Sequence, residues 1–138
     1  MSKIRGITLP EFEYLLLYVQ QTHEAKNEPI PQLQDSQIDQ IDSCLKTPFQ
    51  TFGGRYLYKG FLDKAAILFY LINKNHALSN GNKRMACICL AYFFEINGKD
   101  FLIPDDKFYE LAKKVTVSNP DDKEEVIQMI KETILLYM

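Results

Sequence analysis

The chain has 138 residues, of which 46% are hydrophobic and 25% are charged, and its net charge is -2 at pH 7. This size and balance predict a single globular domain, residues 1–138, with one hydrophobic core. Lys and Arg are scattered along the chain, so no broad basic surface is expected and direct nucleic-acid binding is disfavoured.

The apolar segments and the cysteines predict the cellular compartment. The amino-terminal apolar stretch is interrupted by Glu11 and Glu13, and no small-residue cleavage site follows it, so we expect no signal peptide. The longest apolar run, Met85–Phe94, is about half the length that spans a bilayer. An odd number of cysteines without metal-ligand spacing suits a reducing compartment and core packing. These features predict a soluble, cytoplasmic protein without a membrane partner.

The first part of the chain predicts two helices separated by a loop. Thr8–Glu11 reads T-x-x-E, a capping box, and it is followed by apolar residues at helical spacing, so a helix is expected from about Leu9 to Glu24. Residues 26–34 contain two prolines and predict a loop. Asp35 or Ser36 can then cap a short helix that ends before Pro48.

A predicted flap follows at PFQTFGGRYLYKGF, residues 48–61. Aromatic residues and Thr flank Gly53 and Gly54, and two glycines between β-forming residues are typical of a hairpin turn. We therefore expect an exposed hairpin from about Thr51 to Lys59, which we call the flap.

The remaining residues predict four helices. The patterns favour helices at Asp63–Lys74, Asn82–Ile96 and Pro104–Val117, and a last one that starts at residues 119–121. Asn97–Gly98 should form a left-handed cap. In the last helix the residues expected to face inward are Val126, Ile127, Ile130, Ile134 and Leu135. Because the helix at residues 82–96 is apolar nearly all round, it should be the buried central helix of an all-α bundle with one small hairpin.

The start of the central helix carries an unusual polar cluster, HALSNGNKR. The first backbone N–H groups of a helix lack intrahelical partners, and the helix dipole places partial positive charge there. Lys83 and Arg84 oppose that dipole by about 0.3–1 kcal/mol each, and a bound anion would remove the conflict. Gly81 allows close approach of a phosphate, and Asn82 and Arg84 add side-chain donors. The cluster therefore predicts a phosphate-binding helix entrance.

His76 lies just ahead of this entrance and can act as a base near neutral pH. Taken singly, each residue has an ordinary explanation. His76 could cap or pack against the helix, Gly81 could serve only to form a turn, and Lys83 and Arg84 could be a solvated pair. Taken together, they favour transfer of a phosphate-containing group to an alcohol. The P-loop pattern is absent. His23 and His76 have no Cys or His at ligand spacing, so no metal cluster is predicted.

Residues His76–Arg84 resemble the Fic/Doc signature H-x-F-x-[D/E]-G-N-[G/K]-R, and Lys83 makes the chain similar to the Doc branch of toxins. ITLPEF, FGGRYLY, DKAAILFYLINKNH and LAYFFEINGK also look like Doc-type sequence. The resemblance implies a Fic/Doc helical bundle in which His76 is the general base and Gly81 and Asn82 form the anion hole. It also implies that Arg84 holds the phosphates of the nucleotide.

The resemblance extends to substrates and partners. Lys83 stands where the Lys of Doc is linked to a reversed nucleotide pose, which implies transfer of the γ-phosphate of ATP to a threonine of a translation factor such as elongation factor Tu. The flap would align the target by strand addition. Its predicted target-aligning residues are Thr51, Phe52, Gly53, Gly54, Arg55, Tyr56, Leu57 and Tyr58. A separate antitoxin is the expected inhibitor, because no inhibitory helix motif of the kind found in some Fic proteins is evident.

The sequence departs from the signature at two informative positions. Asn80 occupies the place of the usual acidic residue that holds Mg²⁺, so it is a weak metal candidate that brings no charge. Leu78 replaces the usual Phe, which packs in the core. Two alternatives to the kinase therefore stay open: an AMP transferase (AMPylation), and a catalytically silent binding module that is explained by Asn80.

Overall fold

The computed structural model describes residues 3–22, 29–75, 77–78 and 81–138, and in these residues it has six α-helices and one two-stranded hairpin. The all-α fold with a small flap is thus confirmed. The helices are α1 (Leu9–Gln20), α2 (Asp35–Lys46), α3 (Phe61–Lys74), α4 (Asn82–Ile96), α5 (Asp105–Val117) and α6 (Lys123–Tyr137). The strands are β1 (Thr51–Phe52) and β2 (Arg55–Tyr56), and two 3₁₀ turns span Thr47–Phe49 and Pro120–Asp122.

Helix α1 begins at the predicted capping box. The Glu11 backbone N–H donates to Thr8 Oγ1 at 3.3 Å, and the Thr8 N–H donates to Glu11 Oε1 at 2.9 Å. The helix ends at Gln20, before the predicted Glu24, which lies outside the described residues. Thr22 provides a physical reason, because its hydroxyl donates to the Val19 carbonyl at 2.8 Å and its backbone N–H donates to the same oxygen at 3.1 Å.

Helix α4 packs against α1, α3 and α5 and is the central helix, with the bounds that were predicted. Its buried residues are Met85, Ala86, Cys89, Leu90, Phe93 and Phe94. Ala91 and Glu95 are its exposed residues, and the remaining residues of the helix are partly buried. The predicted left-handed cap is confirmed, because Gly98 has a φ of +66° and its N–H donates to the Glu95 carbonyl at 3.1 Å.

Helix α3 starts two residues before the predicted Asp63. The Phe61 ring lies parallel to the Phe93 ring at a centroid distance of 4.9 Å, so the start of α3 is packed against the central helix. An aromatic pair of this kind contributes about 0.5–1.5 kcal/mol beyond its buried area. Packing against α4 therefore extends the helix beyond the limit indicated by local sequence.

Helix α6 follows a 3₁₀ turn that its sequence did not predict. The Asn119 side chain accepts from the Asp121 N–H at 2.9 Å and caps this turn, so the α-helix begins only at Lys123. Val126, Ile130 and Ile134 are buried as predicted, and Ile127 is partly buried. The inward orientation predicted for Leu135 is wrong, because its side chain is 57% exposed. A residue that follows Ile134 directly is turned about 100° away from the buried stripe.

The flap is a tight hairpin, as predicted. Thr51 pairs with Tyr56 and Phe52 pairs with Arg55 in antiparallel register. Gly53 and Gly54 both have positive φ, +60° and +78°, which is the backbone that a two-residue hairpin turn needs. No helix in the described part of the chain is long and apolar enough to cross a membrane.

Candidate active site

The entrance of α4 begins at Gly81, whose φ is +89°. The Gly81 carbonyl accepts the Met85 N–H at 2.9 Å, which closes the first turn. A Cβ at this position would lie 2.5 Å from Ile30 Cδ1, so the end of the Ile30 side chain would have to move to admit it. The left-handed backbone and the contact with Ile30 both favour glycine at this position. Its predicted contact with a phosphate stays a prediction.

The Asn82 side chain shapes the loop that leads into α4. Its Oδ1 accepts the Leu78 N–H at 3.1 Å, and its Nδ2 donates to the Leu78 carbonyl at 2.9 Å. Both ends of the amide are thereby used to hold the loop backbone. Asn82 was predicted to offer a side-chain donor to an anion, and in this geometry one N–H of its amide donates to the Leu78 carbonyl instead.

Leu78 lies beneath the loop and is 4% exposed, which confirms its expected packing role. A cavity of about 10 Å³ remains beside it, lined mainly by apolar side chains of α1, α2 and α3. This volume is near the lower limit for one water molecule. Leu78 is therefore packed against the core beside this small void.

The first turn of α4 carries two cations and no acidic residue. Lys83 and Arg84 are both partly buried, and the Nη1 atom of Arg84 is fully buried. The partial positive charge of the helix terminus and two cationic residues therefore occur within one helical turn. A helix start of this composition suits an anionic group such as a phosphate.

The predicted base and the predicted metal ligand both precede the first turn of α4 in the chain. His76, Ser79 and Asn80 lie outside the described residues, and so does His23. The residue before His76 is Asn75, whose backbone N–H donates to the Leu71 carbonyl at 2.9 Å. His76 as base and Asn80 as a Mg²⁺ ligand thus stay predictions.

The flap presents much of its surface to solvent. Both strands are exposed, and Phe52 at the turn is 81% exposed. The Leu57 N–H donates to the Gln50 carbonyl at 3.0 Å and extends the pairing beyond the strands. The predicted aligning residues from Thr51 to Tyr58 thus lie together on one hairpin, whose contact with a target stays a prediction.

Comparison with known proteins identifies the family. The model of the Fic/DOC family matches residues 9–94, which include α1, the flap, α3 and most of α4. The chain belongs to the Fic/DOC family. A protein named Toxin Doc from Mycolicibacterium smegmatis is 40% identical to it over 58 residues, 42% of this chain and 45% of that protein. The chain thus spans about half the length of the curated relative it matches. No solved structure matches it significantly.

The Fic/DOC match supports the Doc branch that the motif indicated, because the relative carries the Doc name. A metal site within the protein would require a cluster of ligating side chains. In residues 3–22, 29–75, 77–78 and 81–138, no group of three or more His, Cys, Asp or Glu side chains could hold a metal ion. Asn80, the predicted Mg²⁺ ligand, lies outside these residues and stays a prediction.

Two residues near the Fic/DOC motif and the flap were missed by sequence reasoning. Ile30 packs at Gly81, and its backbone carbonyl accepts from Gln20 Nε2 at 3.0 Å. Lys64, in the first turn of α3, is 1% exposed beneath the flap. The prolines on both sides of Ile30 were a signal of a fixed loop, but nothing in the sequence indicated that Lys64 is buried.

A carboxylate on α1 ties the amino-terminal segment to the central helix. Glu11 Oε2 accepts from Arg5 Nη2 at 2.5 Å and also from the Tyr92 hydroxyl. Partial burial raises the pKa of Glu11, but hydrogen bonds from Tyr92, Thr8 and Arg5 outweigh it and lower the pKa to about 2. Glu11 therefore holds α1 in place and does not behave as a general base near neutral pH.

Proposed function

We propose that this Fic/DOC protein is a Doc-like toxin of a toxin-antitoxin module that phosphorylates a translation factor, such as elongation factor Tu, from ATP. One observation carries the proposal: α4 begins at the left-handed Gly81, and its first turn contains Lys83 and Arg84 and no acidic residue. This arrangement suits the terminal phosphates of a nucleotide. The similarity to a protein named Toxin Doc supports the biological role.

The proposed reaction moves the γ-phosphate to a threonine hydroxyl of the target. The hydroxyl oxygen attacks the γ-phosphorus, the bond to the bridging β–γ oxygen breaks, and ADP leaves. His76 takes the hydroxyl proton, and the α4 entrance stabilises charge on the phosphate oxygens. Mg²⁺, when bound, would neutralise charge on the β- and γ-phosphates. Such a reaction depends mostly on positioning and electrostatics, which a small site can provide.

The test uses ATP labelled at the α- or the γ-phosphate, together with Mg²⁺ and purified elongation factor Tu. We expect γ-label on the target and no α-label. His76→Ala should abolish the transfer, whereas His23→Ala serves as the matched control and should retain it. Transfer by the His76→Ala variant at the wild-type rate would refute the role of His76.

AMP transfer is the alternative within the same site. In that case the target oxygen attacks the α-phosphorus, pyrophosphate leaves, and α-label reaches the target. Lys83 favours the kinase, because it stands where many Fic proteins have Gly. A Lys83→Gly variant should therefore lose γ-transfer, and unchanged γ-transfer would show that Lys83 does not determine the nucleotide pose.

A silent binding module is the third candidate, and Asn80 in place of an acidic residue is the observation that favours it. An Asn80→Asp variant tests it. A large gain in Mg²⁺-dependent transfer would indicate that the natural site is impaired, whereas a small change would show that Asn suffices. A protein antitoxin is proposed as partner in either case, and the proposed target would place the protein in the cytoplasm.

A further inference from the structure

One buried cation lies under the flap. Lys64 is 1% exposed, and its Nζ donates to the backbone carbonyl of Tyr58. The same nitrogen lies 4.0 Å from the centroid of the Tyr56 ring and 5.5 Å from that of the Phe49 ring. Tyr56 and Tyr58 belong to the second half of the flap, and Phe49 lies just before its first strand. Lys64 therefore contacts the polypeptide on both sides of the hairpin.

Stability alone does not explain a lysine at this position. Burial lowers the pKa of Lys64, and the nearby Asp63 offsets only part of that effect. The Asp63 carboxylate is itself paired with Lys131 at 2.5 Å. A well-packed apolar side chain in a buried site is often at least as stable as a charge, so the ammonium points to a role other than filling space.

The flap by itself has few other attachments. Each strand has two residues, and an isolated two-stranded hairpin is marginally stable in water. A Cβ built on Gly53 or Gly54 would meet nothing within 4 Å, so the turn projects away from the bundle. Its orientation therefore has to be set at its base, where Lys64 lies.

We propose that Lys64 is the positioning residue of the flap, and that its ammonium, held by the Tyr58 carbonyl and the rings of Tyr56 and Phe49, sets the orientation in which the flap receives a target segment. The part that concerns the target rests on the proposed function. The contact between Lys64 and the flap does not rest on that function, so an experiment can refute either claim without refuting the other.

The experiment compares Lys64→Met with the matched control Lys131→Met, which removes a cation bound to the neighbouring residue of α3 without touching the flap. Backbone ¹⁵N relaxation should give order parameters of about 0.85 for Arg55 and Tyr56 in the wild type and below about 0.6 in Lys64→Met. Lys131→Met should match the wild type. Unchanged order parameters in Lys64→Met would overturn the inference, whether or not the protein transfers phosphate.

Steady-state kinetics distinguish a loss of target positioning by the flap from a general loss of enzyme activity. In Lys64→Met we expect KM for the protein target to rise at least about tenfold, whereas KM for ATP changes less than about twofold. A looser flap with an unchanged KM for the target would overturn the role in target alignment. If the wild type transfers no phosphate, the proposed function fails, and the order parameters still decide the flap contact.

Two further variants test the same contact if Lys64→Met does not fold. Tyr56→Leu leaves the core intact and should move the ring-shifted ε-CH₂ protons of Lys64 towards their random-coil frequency while lowering the order parameter of Arg55. Lys64→Arg keeps a cation and a donor and should restore both the flap order and KM. Equal behaviour of Lys64→Arg and Lys64→Met would show that the charge is not what holds the flap.

Discussion

The entrance of the central helix allows a quantitative test through Gly81→Ala. The backbone at Gly81 has a φ of +89°, and an alanine in the left-handed region costs about 1–2 kcal/mol. The new Cβ would also lie 2.5 Å from Ile30 Cδ1 and 3.0 Å from Ile30 Cγ1. Overpacking of this kind typically costs a further 1–3 kcal/mol or so. The free energy of unfolding should therefore fall by about 2–5 kcal/mol.

Gly98→Ala is the matched control for the backbone contribution. Gly98 also has a positive φ, +66°, but a Cβ built there meets nothing within 4 Å. It should cost only the conformational part, about 1–2 kcal/mol. Urea unfolding at constant pH measures both variants, and the midpoints are comparable if the slope m is unchanged.

The contact with Ile30 is isolated by repeating Gly81→Ala in an Ile30→Ala background. If the clash is with Ile30, Gly81→Ala should there cost about as much as Gly98→Ala, and the coupling between the two sites should be about 1–3 kcal/mol. Equal costs for Gly81→Ala and Gly98→Ala in the wild-type background would refute the assignment of the contact. So would a Gly81→Ala cost that is unchanged by Ile30→Ala.

Two further predictions concern the loop and the amino-terminal tie. Asn82→Ala removes both hydrogen bonds to the Leu78 backbone and should lower the free energy of unfolding by about 1–3 kcal/mol, measured by urea unfolding. If Asn82→Ala is as stable as the wild type, the two hydrogen bonds to Leu78 do not stabilise the fold. The pKa of Glu11 is lower in the folded state, at about 2, so its stabilisation is present above about pH 4.5 and is lost as the pH falls towards 2. The Tm of the wild type should therefore fall more steeply over this pH range than that of Glu11→Gln. Parallel curves of Tm against pH would argue against a stabilising role of the Glu11 hydrogen bonds to Arg5 and Tyr92.

Local patterns predicted most of the elements because their determinants are close in sequence. The capping box of Thr8 and Glu11, the two glycines of the flap and the left-handed Gly98 each act within a few residues. The bounds of α4 were correct for the same reason. One prediction failed because of a tertiary neighbour: α3 starts early because Phe61 stacks on Phe93. The other errors have local causes, such as the hydrogen bonds of Thr22 after α1 and the position of Leu135 beside the buried stripe of α6.

The candidate site shows the same division. The cluster from His76 to Arg84 indicated an anion-binding helix entrance, because the free N–H groups of a helix start and two adjacent cations are visible in the sequence. What the side chains in this cluster contact is decided by the tertiary structure. The Asn82 amide binds the Leu78 backbone, and the space at Gly81 is occupied by Ile30.

The sequence by itself determined the helical fold, the hairpin and the motif that places the chain in the Fic/DOC family, since caps, turns and periodicity act over short distances. Only the tertiary structure decided what surrounds Gly81 and where Lys64 lies. Ile30 is 51 residues from Gly81 in the chain, and the rings of Phe49 and Tyr56 come to Lys64 from outside its own helix. Such contacts form when the elements pack around the common core, and no pattern of neighbouring residues specifies them.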